Sequence, residues 1–199
     1  RGLKLIMAEP HDGMRAIMEQ KFAGNPDVTI IADKFQSIEL DRPVDGQEVR
    51  HLLYHLPDHE WGPAVLRAAK MMSKQPYARL VVTLKCEFTH DQKMLREFEA
   101  NKFKLLDQVL PHLYRHPEFS FSVDETNCVI GPESPDDAIA IARVMMCDRA
   151  ASGFPGKISY KKWEAYVLRH LAARDPETPW RHNHTHISIR RNPYHELPC

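Results

Sequence analysis

The apolar positions of this chain change period repeatedly between two and about three and a half, and each change marks an element. Leu3 to Glu9 (LKLIMAE) reads as a first strand, stopped by Pro10. A helix capped by Asp12 follows, with Met14, Ile17, Met18 and Phe22 about one turn apart, and Gly24-Asn25-Pro26 ends it. Val28 to Phe35 is a second strand, and the opening is compatible with a parallel strand-helix-strand unit. Residues 36–46 read as a loop, Gln47 to Leu56 as a short helix closed by Pro57, and a longer helix runs from Asp58 or His59 to about Lys74. Trp61, Val65, Leu66, Ala69 and Met72 form its apolar side.

Tyr77 to Phe88 (YARLVVTLKCEF) is the strongest strand, apolar on both faces at its centre, as a central strand is. Thr89 to Gln92 fits a capping box opening a helix to about Leu110, with residues 111–117 as a connector. Phe119-Ser120-Phe121-Ser122-Val123 alternates as a half-buried strand does, with Cys128-Val129-Ile130 a candidate to pair with it. Ser134-Pro135-Asp136-Asp137 opens another helix with a capping hydroxyl, proline in the first turn and early acids. After the break at residues 151–156, Ser159 begins a helix to about Ala173. A last strand covers the histidine-rich stretch Trp180 to Arg191, ended by Asn192-Pro193. These elements predict an α+β (or α/β) fold with a single mixed sheet of about five to six strands flanked by helices. They divide into a core domain over 1–152 and a C-terminal helix and strand over 153–199, read as part of the same domain.

Composition narrows the class. The chain has 199 residues, 43% hydrophobic and 27% charged, as folded soluble domains have. Its apolar runs are too short to span a bilayer, so no direct membrane insertion is expected. It begins at Arg1 rather than methionine and reads as a fragment of a larger protein. Four cysteines without CxxC spacing fit neither a zinc ribbon nor a disulfide framework, and an intracellular, reducing setting is the default. Net charge is zero but uneven. Residues 1–60 hold 7 Lys/Arg against 11 Asp/Glu, and residues 157–199 hold 8 against 4. The basic end could bind a protein or a nucleic-acid backbone, with Trp180, Arg181, Arg190 and Arg191 as contact residues.

The most specific chemical pattern is His182-Asn183-His184-Thr185-His186. On a strand, period two puts His182, His184 and His186 on one face, a suitable donor set for a divalent metal such as zinc, manganese or magnesium. Glu164, Asp124 and Glu125 are acids that could complete such a site. His51/His55 and His112/His116 have the i, i+4 spacing of helical ligand pairs, without the glutamate of HExxH. Glu9-Pro10-His11-Asp12-Gly13 is no glycine-rich phosphate loop, so no nucleotide cofactor is expected. No GxSxG nucleophile elbow occurs, and Cys86 and Cys147 fall in apolar patterns.

His184 to Pro193 (HTHISIRRNP) resembles the histidine motif of HUH-family relaxases, over about a dozen residues. The resemblance implies metal-dependent cleavage of single-stranded DNA, with His184 and His186 as metal ligands and His182 as a possible third. Thr185 replaces the family's hydrophobic residue, and no tyrosine precedes Tyr54 to serve as the nucleophile. Two functions follow. The first is an interaction or scaffold domain of a larger assembly, docking through the basic end. The alternative is a metal-dependent phosphodiesterase or single-strand endonuclease built on the histidine strand.

Overall fold

The computed structural model describes residues 3–50, 52–86, 93–94, 97–98, 105–147, 159–172, 180–181 and 183–195. The chain forms two compact units, Arg1–Pro43 and Val44–Cys199. In the first, β1 (Leu5–Ala8) and β2 (Val28–Ile31) pair in parallel, Leu5 opposite Val28 and Ala8 opposite Ile31, with helix α1 (Asp12–Lys21) connecting them. His11, not Asp12, caps α1: its Nδ1 accepts from the Met14 N–H at 3.4 Å. Asp12 is instead the first helical residue, where its charge favours the helix dipole. Gly24, at φ 77°, makes the left-handed turn after α1 that a side chain would resist.

The second unit holds β3 (Gly46–Arg50), α2 (Trp61–Lys70), β4 (Arg79–Lys85), α3 (Leu105–Tyr114), β5 (Phe119–Thr126) and β6 (Val129–Ile130). The helices α4 (Pro135–Cys147) and α5 (Tyr160–His170) follow, then β7 (Trp180–Arg181) and β8 (His184–Arg191). Its main sheet runs β3-β4-β8-β5. β3 is parallel to β4, and β8 is antiparallel to both β4 and β5, so β4 and β5 share a direction. One face is the core: Val49, Leu80, Val82, Leu84, Ile187 and Ile189 are all buried. A second cluster joins α4, α5 and β7 through Ala138, Ala142, Trp163, Val167, Leu171 and Trp180, with Met94.

The α+β expectation holds, but the single sheet does not: the described strands form sheets of two, four and two. Residues 47–50 are strand rather than helix, because pairing with β4 outweighs local preference. Gln47 turns inward and donates from Nε2 to the Ala68 carbonyl of α2 at 2.8 Å. β6 pairs with β7 rather than with β5. The strand expected over 180–191 is two strands in two sheets. Pro111, expected in a connector, lies inside α3. An interior proline costs about 3 kcal/mol. Leu105, Val109 and Leu113 are buried on one stripe of α3, at about 1.5–3 kcal/mol each, and that burial outweighs the proline. Ser134 caps α4 as its sequence predicts, Oγ accepting from the Asp137 N–H at 3.1 Å. The capping box at 89–92 and the break at 151–156 lie outside the described residues.

Helices α2 and α3 pack together at Gly62. A Cβ there would come within 2.0 Å of the His112 ring, so glycine is what lets the helices approach. No helix among the described residues is long and apolar enough to cross a membrane.

Candidate functional site

Because β8 runs against β4 and β5, its first residues lie at the carboxyl ends of those strands. His184 stands opposite Lys85 and Thr126, and His186 opposite Thr83 and Asp124. In open α/β sheets this is the edge where ligands bind. Register partners share a face, so Thr83, Asp124, Thr126, His184 and His186 form one polar face. The opposite face carries Thr185, Ile187 and Ile189 into the core.

Each histidine is engaged within this edge. His186 lies between two hydroxyls: Nδ1 is 3.0 Å from Thr83 Oγ1 and Nε2 is 2.8 Å from Thr126 Oγ1. A neutral imidazole so placed donates from one nitrogen and accepts at the other, leaving no lone pair for a metal. His184 Nδ1 is 3.6 Å from Cys128 Sγ, and the two imidazole centroids are 6.4 Å apart. The Cys128 N–H donates to Asn183 Oδ1 at 3.3 Å, and Asn183 Nδ2 donates to Asn127 Oδ1 at 2.9 Å. His182 lies outside the described residues.

Among the described residues no three His, Cys, Asp or Glu are grouped to hold a metal ion, so the zinc, manganese or magnesium expectation is corrected. Asp124 lies across from His186, but Glu125 instead accepts from Cys86 Sγ at 3.4 Å. The spaced pairs fare no better. His55 ends a short 3-10 turn, His51 lies outside the described residues, and His112 faces Gly62. His116, beyond the end of α3, bonds Glu118 at 2.8 Å and holds that carboxyl below its ordinary value of 4.5.

The basic-end residues separate into different roles. Trp180 is buried in the cluster between α4 and α5. Arg191 turns its guanidinium back to the end of α2, donating to the carbonyls of Lys70, Met72 and Ser73 at 3.0–3.3 Å, and lies over the Phe119 ring. Lys70 is the last residue of α2, so the guanidinium satisfies one helix-end carbonyl and braces the turn that follows. Arg190 is exposed on β8, and Arg181 lies on β7. Trp180, Arg191 and Arg190, expected on one docking surface, are therefore divided between core, helix end and surface.

In the first unit Glu9 directly follows the carboxyl end of β1, half-buried, with Oε1 accepting from the His11 N–H at 2.8 Å. Arg15 donates to the Glu9 carbonyl at 3.3 Å. The sequence pattern held the signal, an acid between the end of a strand and the start of a helix.

No protein-family model and no curated protein matches the chain. Solved structures do. A candidate methyltransferase from Bacillus halodurans superposes with a TM-score of 0.56 at 10% identity, over 96% of this chain and 83% of that one. Another from Thermoplasma acidophilum gives 0.50 at 11%, over 96% and 58%. Coclaurine N-methyltransferase, bound to N-methylheliamine and S-adenosylhomocysteine, gives 0.51 at 11%, over 93% and 60%. The chain spans about three fifths of the length of the last two. At these identities the likeness shows the fold. It also overturns the docking-scaffold reading and its endonuclease alternative, since the neighbours are methyltransferases. The expectation of no nucleotide cofactor is corrected as well, because such a neighbour holds a nucleoside.

Proposed function

We propose that this chain is part of an S-adenosylmethionine-dependent methyltransferase, with Glu9 receiving the ribose of the cofactor. One observation carries the reading: a half-buried carboxylate at the carboxyl end of β1, fixed by the His11 N–H just before α1 begins. An acid in this position of a parallel strand-helix unit suits a vicinal diol, because both hydroxyls can donate to one carboxylate. When bound, the cofactor supplies a methyl group on a positively charged sulfur.

Each charge-assisted bond of this kind contributes about 1.5–3 kcal/mol. Glu9→Ala is therefore expected to weaken S-adenosylhomocysteine binding at least about tenfold in calorimetric titration, with Glu9→Gln intermediate. Absence of any S-adenosylhomocysteine or S-adenosylmethionine binding by the unaltered protein would overturn the reading, and equal affinity in Glu9→Ala would remove Glu9 from it.

A further inference from the structure

We propose that β5 is a self-association edge, pairing antiparallel with β5 of a second copy about a two-fold axis at Ser122. β5 ends the four-stranded sheet, and among the described residues no strand covers its outer side. The direction of its backbone groups follows from the ladder. The Asn192 N–H donates to the Glu118 carbonyl at 2.8 Å, continuing the β5–β8 register. Even-numbered residues of β5 therefore bond β8, and Phe121, Val123 and Glu125 direct their N–H and C=O groups outward. Exposed edges in natural sheets are blunted by proline, lysine or a bulge. The eight residues Phe-Ser-Phe-Ser-Val-Asp-Glu-Thr contain no proline or lysine. The edge has an apolar margin too: Val123 is 38% exposed, and the exposed Tyr114 stands edge-on to Phe121 with centroids 5.1 Å apart.

Charge selects both occupant and register. The acids Asp124 and Glu125 sit at one end of β5, and the exposed Arg190 of β8 stands beside Ser120 at the other. A second copy running antiparallel brings opposite charges together at both ends, as a two-fold interface requires. Only outward-facing residues can bond across the new pairing, so the registers differ by steps of two. With Phe121 against Val123 of the second copy, Ser122 meets Ser122 and Asp124 meets Ser120. Asp124 then lies two strand spacings, about 10 Å of backbone, from Arg190 on the same face, within the joint reach of the two side chains. One step one way sets Asp124 against Glu118, a like-charge pair. One step the other way sets it against Ser122, whose neighbour on β8 is Ser188 rather than Arg190. The central register alone joins the apolar pair to the charge match.

The test is cross-linking with sedimentation on the whole chain. Ser122→Cys is a non-hydrogen-bonded pair across the axis, where cysteines of two strands can bridge. Mild oxidation should give a disulfide dimer joined at 122, mapped by mass spectrometry, while Ser120→Cys should not cross-link. Unaltered protein should sediment as a concentration-dependent dimer. Val123→Pro, which removes an outward N–H unused by β8, should be monomeric. Asp124→Arg should also be monomeric, and the exchange Asp124→Arg with Arg190→Asp should restore the dimer. A protein monomeric up to about 0.1 mM overturns the proposal. So does cross-linking at 120 in preference to 122, or an exchange variant that folds and stays monomeric.

Discussion

His186 shows how a single side chain can look like a ligand and serve another purpose. Its two nitrogens tie the Thr83 hydroxyl of β4 to the Thr126 hydroxyl of β5, across the intervening strand. Thr83 is only 3% exposed, so its hydroxyl depends on that bond. His186→Leu is expected to cost about 1–3 kcal/mol, chiefly the desolvation of an unpaired buried hydroxyl. Urea unfolding should show the loss, and adding Thr83→Val should recover much of it, a coupling that independent sites would not show. Glu118 gives a pH signature at the same scale. Its carboxyl is held below its ordinary value first of all by the His116 hydrogen bond. The resulting stabilisation is fully present above pH 4.5 and is lost as pH falls through the lowered value. In the pair the side chains are 30% and 35% exposed, so the contribution is small. The gap in urea midpoint between the native protein and His116→Ala should narrow as pH falls below 4.5.

At the scale of elements, the α2–α3 contact makes the sharpest prediction. Gly62→Ala gains up to about 1 kcal/mol in helix propensity. It also places a methyl within 2.0 Å of His112 Cδ2 and 2.5 Å of Cγ, near the base of the ring, where a rotation of the tip gives little relief. Overpacking of about 1–3 kcal/mol should win, lowering the melting temperature, and adding His112→Ala should restore it. This contact also shows what the chain makes legible. Elements with a strong period or an unambiguous start, such as β4, α4 and β5, stand close to where their residues place them. Those that departed are settled by neighbours distant in sequence. β3 is a strand because β4 lies beside it, α3 continues through Pro111 because its stripe is buried, and β7 leaves the line of β8 to meet β6. The histidine spacing correctly gave a strand and a shared face for His184 and His186. What else shares that face, two threonine hydroxyls, comes from strands about 60 and 100 positions away.

Over the whole molecule, the two units differ in how deeply they are built. Among the described residues of Arg1–Pro43, none of α1 is buried and two strands pair. In Val44–Cys199 the four-stranded sheet carries nearly inaccessible side chains at Leu80, Val82, Ile187 and Ile189. Hydrogen exchange followed by mass spectrometry should find the amides of β1 and β2 exchanging about 100-fold faster than those of β4 and β8, since opening free energy follows buried apolar contact. The carboxyl-edge position of Glu9 was readable from strand followed by acid followed by helix, whereas the methyltransferase likeness resides in overall topology, which 10–11% identity hides from the sequence. That topology also sets a timetable for biosynthesis. In the sheet β8, His184–Arg191, lies between β4 and β5, and it is made after both. While the ribosome is still extending the chain between Thr126 and Arg191, both strands wait with open sides. The nascent sheet is thus open to misassociation along both strands during that interval, and the arrival of a single eight-residue segment covers the two sides that face each other.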